Sequence, residues 1–297
     1  MKNQLVRFDW ALKKLLRNKA NFDILEGFLS ELLKQDVKIE KILESESYKE
    51  TRDDKYNRVD LLTEIGSRDL VLIELQVEGQ FDYFHQMLYG SSKLITDYMT
   101  SGADYQEVKK VISVNIVYFD LGQGEDYIYK GITEFTGIHN NDLLQLSGFQ
   151  KSKLPDLQQV SNVFPEYYIL KVNKFNDYAR DTLDEWIYFL KNSEIKDEFQ
   201  AKGIHKASEE LDILKLSKEE RIRYERFIDD WRVGESSIKT SWMKGHDKGI
   251  EEGMEKGKEK GKIEVALRLI DKGMTVEEAA EISGISVEVL RGAVGET

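Results

Sequence analysis

The feature that most constrains the fold is a pair of apolar runs, residues 56–65 and 69–78, on either side of a short turn at Gly66-Ser67-Arg68. Runs rich in Val, Ile and Leu that flank a glycine-containing turn are typical of antiparallel hairpins. Pairing Ile65 with Asp69 brings the apolar side chains together on one face, whereas a slip of one residue would send them to the wrong side. The sequence therefore predicts a hairpin whose register is set by the pair Ile65–Asp69.

The same register brings two carboxylates together on the other face of the hairpin. Asp60 is then opposite Glu74, and Gln76 lies two residues further along the face of Glu74. Opposed side chains have Cβ atoms about 4.5–5.5 Å apart, so two carboxylates there repel and one titrates abnormally. A Mg²⁺ ion would relieve the repulsion, with the backbone carbonyl of Leu75 as a further ligand. These groups suit metal-assisted phosphodiester hydrolysis, in which Gln76 could orient a water or a phosphate oxygen.

Spacing alone leaves a second interpretation open for these carboxylates. Acidic residues are common on the solvated face of a sheet, and Arg58 could form an ordinary surface ion pair there. A carboxylate within an apolar strand is costly unless something pairs with it. The spacing by itself therefore does not define an enzyme.

Composition narrows the classes of protein that fit this chain. Cysteine is absent, which excludes disulfides, thiolate metal sites and cysteine nucleophiles and fits a reducing compartment such as the cytoplasm. The four histidines show no clustered spacing, so we expect no zinc site. No run of about 18 apolar residues occurs, so we expect no membrane span. The net charge of −12 argues against DNA binding on average, although a metal site supplies positive charge locally.

The order of predicted elements is α-β-β-α-β, followed by further short strands and then by helices. Apolar periodicity predicts helices over 8–34 and 81–100 and a buried strand over 111–119. Short strands follow at "EDYIYKGI" and at 166–172, and from about residue 180 one helical pattern follows another. This order predicts an α/β core with an all-helical C-terminal extension.

Composition divides the chain into a domain at 1–235 and two further segments. In 236–264 a glycine recurs every four residues among balanced charges, which predicts a solvated helix or linker, or alternatively close helix packing in a dimer. Residues 265–297 predict three short helices with a helix-turn-helix-like turn at Gly284. The last of these helices carries only Arg291 as a cation, so reading of DNA by this unit is not favoured.

Several motifs of the chain resemble a known family. Asp60 followed by Glu74-Leu75-Gln76 resembles the D…(D/E)xK signature of PD-(D/E)XK nucleases, with Gln76 in the lysine position. The ordered pieces "FDWALKKLL", "RVDLL", "IELQ", "YFHQMLYGSSKLITDY" and "VISVNIVYF" resemble more specifically the recombination-promoting nucleases, or PD-(D/E)XK nuclease family transposases. The resemblance covers nearly the whole chain. It implies a restriction-endonuclease-like core, in which a mixed sheet is flanked by helices.

The resemblance also implies an activity and the residues that perform it. The implied activity is that of a DNA endonuclease, dependent on Mg²⁺ or Mn²⁺, that acts in recombination or on mobile elements. Asp60 and Glu74 would be its metal ligands, and Asp9 matches an acidic position of the opening motif that approaches the site. DNA is the implied partner, which predicts a cytoplasmic protein that associates with the nucleoid. Cleavage of both strands would favour a homodimer.

Departures from the motif keep other functions open. Gln76 can donate a hydrogen bond but brings no charge to a transition state. The chain could therefore be a catalytically weak or inactive nuclease-fold protein that binds DNA or assembles, or a phosphohydrolase or RNase on the same scaffold. Lys93 could supply the missing cation, although lysines are usually solvated, and His85 could contact the phosphate or pack among aromatic rings.

Overall fold

The computed structural model describes the chain from residue 5 to residue 295, except for residues 9, 12–18, 44–57, 67, 68, 78, 100–103 and 156. Two compact units are present, Met1–Phe227 and Ile228–Thr297. The division into three segments at residues 235 and 264 remains a prediction.

A mixed six-stranded sheet forms the first unit, with the strand order β1-β2-β3-β4-β6-β5. The strands are β1 (Ile39–Leu43), β2 (Arg58–Ile65), β3 (Asp69–Gln76), β4 (Val111–Val117), β5 (Ile128–Gly131) and β6 (Glu166–Lys171). Strands β3, β4 and β6 run parallel to one another, whereas β1, β2 and β5 join the sheet through antiparallel pairs. The predicted α/β fold with a mixed sheet is confirmed.

The hairpin of β2 and β3 has the predicted register. Ile65 pairs with Asp69, and the ladder continues without interruption through the opposed positions of Asp60 and Glu74. A period-2 apolar pattern decides this register because one slipped residue would reverse every face. The two acidic residues therefore occupy directly opposed positions in the ladder.

Strand β1 has a weaker sequence signal than the other strands. Its sequence is IEKIL, and only Ile39 at its start is buried, so the apolar alternation is poor. The pairing with β2 contains an irregularity between Ile39 and Lys41. Charged side chains and an irregular ladder are common at sheet edges, where they discourage further pairing. This polar segment consequently lacks the pattern from which a strand is predicted.

Helices flank the sheet of the first unit. They are α1 (Phe22–Leu33), α2 (Tyr83–Asp97), α3 (Gly148–Lys153), α4 (Thr182–Asn192) and α5 (Ile204–Glu210). Helices α1 and α4 meet through an edge-to-face contact between Phe28 and Trp186, with ring centroids 5.7 Å apart. Phe8 adds edge contacts to both rings, at 5.6 and 6.3 Å. These aromatic side chains are buried and join the N-terminal segment to α1 and α4.

The second unit is helical. Helix α6 (Lys218–Asp271) begins in the first unit, and α7 (Val276–Ser283) and α8 (Val287–Val294) follow it. Thr275 and Ser286 cap α7 and α8, and Gly284 ends α7 with a φ of 66°. The buried core of these three helices consists of Ala266, Ala279, Ala280 and Leu290. Among the described helices of the whole chain, none combines the length and the apolar character that crossing a membrane requires.

An ion-pair network lies where β4 and β6 begin. The carboxylate of Glu166 accepts hydrogen bonds from Lys110 Nζ at 2.7 Å and from the Tyr168 hydroxyl at 2.6 Å. Lys130 Nζ lies 2.7 Å from the same carboxylate. Partial burial would raise the pKa of Glu166, but these hydrogen bonds outweigh it and lower the pKa to about 2. The network therefore favours the ionised carboxylate in the folded protein.

The stability of the protein should depend on pH through Glu166. A carboxyl group with a depressed folded-state pKa stabilises the fold above its unfolded pKa, near 4.5, and loses that contribution as the pH falls towards 2. We expect the wild type to lose more unfolding free energy between pH 5 and 2.5 than E166Q does, measured by denaturant titration at each pH. E209Q, on the exposed side of α5, should retain the wild-type pH dependence. Equal pH profiles for E166Q and the wild type would contradict this assignment.

Candidate active site

The opposed acidic positions lie on the central strands of the sheet. Glu74 on β3 pairs with Asp60 on β2 and, on its other side, with Asn115 on β4. The structure describes the backbone of Asp60, which lies opposite Glu74 in the ladder, and does not describe its side chain. Residues paired across neighbouring strands share one face of a sheet. The hairpin therefore extends into a polar row that crosses three strands.

Burial decides between the two interpretations of the acidic face. Glu74 is 1% exposed and Gln76 is 3% exposed. The interpretation of this face as an ordinary solvated surface is therefore wrong for these two side chains. A carboxylate withdrawn this far from water requires compensating polar or charged groups.

Helix α2 covers the sheet face that carries Glu74. At one end of the helix Leu94 packs with Leu62 and Leu72, and at the other end Tyr83 packs with Val117. Leu72 is two residues from Glu74 on β3 and Val117 is two residues from Asn115 on β4, so both clusters lie on the same face as the polar row. Glu74 and Gln76 thus lie on a face that is largely apolar and covered by a helix.

Asn115, the member of the polar row on β4, is held by several hydrogen bonds. Its side-chain oxygen accepts from the Tyr83 hydroxyl at 3.3 Å. Its amide nitrogen donates to Ser113 Oγ at 2.9 Å and to the backbone oxygen of Tyr168 at 3.2 Å. These bonds connect α2, β4 and β6 beside Glu74. They hold the side chain of Asn115 in a defined position beside Glu74, as a binding site requires.

The residues of this region fit a hard divalent cation. The available donors are carboxylate, amide and backbone oxygens, and the chain contains no cysteine that would favour a softer metal. A cation beside Glu74 would compensate the buried carboxylate. Among the side chains that the structure describes, which do not include that of Asp60, no cluster of three or more His, Asp or Glu forms a metal site. Ligation by Asp60, Glu74 and the Leu75 carbonyl therefore remains a prediction.

The other predicted site residues have different positions. Asp9 lies outside the described residues, although its neighbour Phe8 is buried. His85 is exposed on α2 and Lys93 is half-buried. Neither side chain is buried as those of Glu74 and Gln76 are. The structure therefore gives no support to Lys93 as the missing cation.

Two residues of the site escaped the sequence-based prediction. Asn115 is a polar residue within the apolar run "VISVNIVYF", and that contrast is a usable signal. Tyr83 lies in an aromatic-rich segment where any ring could face the core. Its hydroxyl contact with Asn115 depends on how α2 packs on β4, and a local pattern does not reveal that packing.

The fold and the acidic hairpin define a class of protein with a nuclease-type α/β core. The family model for PD-(D/E)XK nuclease family transposases matches residues 6–232. This match spans more than half of the chain, so the chain belongs to that family and has a nuclease or transposase-like role. The resemblance inferred from the motifs is thereby confirmed. No curated protein and no solved structure matches the chain.

Proposed function

We propose that this protein is a metal-dependent DNA endonuclease that hydrolyses phosphodiester bonds during recombination or mobile-element transfer. The observation that carries the proposal is the direct opposition of Asp60 and Glu74 at the centre of the sheet, with Glu74 withdrawn from solvent. Family membership supports a nuclease, since the matched region contains the whole hairpin. DNA is the proposed substrate and Mg²⁺ or Mn²⁺ the proposed cofactor.

Each group of the hairpin has a defined task in this proposal. Asp60, Glu74 and the Leu75 carbonyl would hold the cation, and Asp9 would approach it from the N-terminal segment. When bound, the metal would supply Lewis-acid stabilisation and an activated water. The Gln76 amide would donate a hydrogen bond to a phosphate oxygen and so orient the substrate. Because an amide is neutral, Gln76 stabilises developing negative charge less than a lysine would.

A second candidate function is DNA binding or assembly with weak or absent catalysis. The observation that favours it is the burial of Glu74 and Gln76 beneath α2, together with the amide in the lysine position. A substrate phosphate must approach both side chains, and their low exposure opposes that approach. Under this candidate the acidic hairpin would be a structural remnant of the nuclease core.

A plasmid-cleavage assay tests the proposal. Purified full-length protein is incubated with supercoiled plasmid in Mg²⁺, in Mn²⁺ and in excess EDTA, with RNA and a phosphomonoester as parallel substrates. We expect nicked or linear plasmid in both metals and none in EDTA. Cleavage that persists in EDTA would contradict the metal dependence. DNA binding without cleavage in either metal would favour the second candidate, and faster hydrolysis of RNA or of the monoester would redirect the substrate class.

A further inference from the structure

A second charged side chain is buried near the candidate active site. Lys171 ends strand β6 and is 2% exposed. Lysine is seldom fully buried unless a partner compensates its charge, because moving an ammonium group out of water is costly. Such a position requires a physical explanation, and neither the fold nor the acidic hairpin supplies one.

Lys171 lies on the same sheet face as the polar row. It pairs with Val117 on β4, and Val117 pairs with Gln76 on β3. Ile169, two residues earlier on β6, packs in the cluster of Tyr83 beneath α2. Since residues two apart on a strand share a face, Lys171 lies on the sheet face that α2 covers. With neighbouring strands about 4.8 Å apart, the Cα atoms of Lys171 and Gln76 are separated by roughly 10 Å. A cation and the uncharged Gln76 thus share one line across the sheet.

The ammonium group of Lys171 has weak partners. Its Nζ donates to the backbone oxygen of Gly122 at 3.3 Å and lies 5.8 Å from the centre of the Tyr129 ring. An ammonium carries three donors, so one long bond to a carbonyl uses little of its capacity. In the part of the chain that the structure describes, no carboxylate forms an ion pair with Lys171. An anion supplied from outside the protein would complete the site.

The loop whose backbone carbonyl contacts Lys171 follows strand β4. It connects β4 to β5 and contains Gly122 and Gly124, with φ values of 62° and 151°. Two acidic side chains of the loop have other partners: Asp120 pairs with Lys174 at 3.4 Å, and Asp126 accepts a hydrogen bond from the backbone amide of Tyr127 at 2.7 Å. The loop lies where the parallel strands β3, β4 and β6 end. Open α/β sheets bind their ligands at this edge.

We propose that Lys171 binds a phosphate of the DNA strand, with a phosphate oxygen replacing the Gly122 carbonyl as its acceptor. This inference rests on the proposed nuclease function and names a substrate contact of the same site. Lys171 then supplies from β6 the positive charge that Gln76 does not bring to β3. The contact is electrostatic and independent of base sequence.

DNA binding measured as a function of salt tests this contact. Fluorescence anisotropy with a short duplex in EDTA follows binding without cleavage. Each phosphate contact contributes about 0.9 to the slope of log K against log salt, so K171M should reduce the magnitude of that slope by about 1 and weaken binding to every sequence. K130M is the matched control. It removes a half-exposed lysine at the other end of the same sheet region, beside Glu166, and should retain the wild-type slope.

Thermal unfolding of the same proteins separates a substrate contact from a structural role. Methionine nearly preserves the length of lysine and removes the buried charge, so K171M should melt at the wild-type temperature or above it. A lower melting temperature with an unchanged salt slope would show that Lys171 only supports the fold. Should K171M unfold, the comparison of K171R with K171Q replaces it, and equal slopes for that pair would overturn the proposal. Because this assay needs no metal, absence of cleavage would refute the nuclease function and leave the result for Lys171 intact.

Discussion

Substitution of Asp60 by Asn or of Glu74 by Gln should lower the rate of metal-dependent plasmid cleavage about thousandfold. A catalytic cation supplies several kcal/mol of transition-state stabilisation, and each 1.36 kcal/mol changes the rate tenfold. Losing about 4 kcal/mol through one ligand accounts for the expected factor. Both variants preserve side-chain size, so the effect reports the lost charge. Initial rates of supercoiled-plasmid loss in saturating Mg²⁺ measure it.

The control for these variants lies on the same strand. Glu64 is four residues from Asp60, about 14 Å along β2, and pairs with Lys109 at 3.1 Å and Lys41 at 3.3 Å. E64Q removes a carboxylate from the hairpin without touching the proposed ligands, so it should cleave at nearly the wild-type rate. Saturating Mg²⁺ should also raise the melting temperature of the wild type and of E64Q but not that of E74Q. Cleavage by D60N or E74Q at the wild-type rate would refute the assigned site.

The variant G27A should destabilise the first unit by about 3 kcal/mol. Gly27 of α1 lies against the backbone that precedes α5, where an added Cβ would collide with the carbonyl of Lys202 and come within 2.8 Å of Gly203 Cα. Gly203 itself has a φ of 79°, a left-handed backbone conformation that glycine adopts without strain. Neither side of the contact is a flexible side chain, which places the cost at the upper end for overpacking. Urea titration followed by tryptophan fluorescence measures the loss.

A glycine-to-alanine substitution at another position of the chain should stabilise the protein instead of destabilising it. Gly249 lies within α6, and an added Cβ there meets no described atom within 4 Å. Alanine favours a helix interior over glycine by about 1 kcal/mol, so G249A should increase helix stability, measured by circular dichroism on heating. If G27A were as stable as the wild type, the close approach of α1 to Gly203 would be wrong. If G249A were destabilising, its environment would not be open.

The register of the acidic hairpin is predictable from the local sequence pattern. Alternation of apolar residues over two adjacent strands decides the register, and the turn between them limits the alternatives, so the opposition of Asp60 and Glu74 is predictable from 23 residues of sequence. The long helix after the hairpin and the central strand at 111–117 follow from periodicity for the same reason. The family motifs extend this prediction to the class of protein.

Other parts of the site depend on contacts between distant segments. Burial of Glu74 requires α2 to lie over the sheet, and the bond from Tyr83 to Asn115 joins residues 32 positions apart. Strand β1 is recognisable through its pairing with β2, because its own residues alternate poorly. The strand order β3-β4-β6 brings Lys171 into line with Gln76 across Val117.

The sequence by itself thus determined the class of fold, the hairpin register and the residue types of the acidic pair. These properties arise from the periodic alternation of apolar and polar side chains among neighbouring residues, and this alternation is visible in the sequence. The tertiary structure alone decided that Glu74 and Gln76 are buried, that Asn115 lies beside Glu74, and that a lysine from a distant strand lies on the same face. Those outcomes depend on how helices and non-adjacent strands pack, and packing is a property of the whole core.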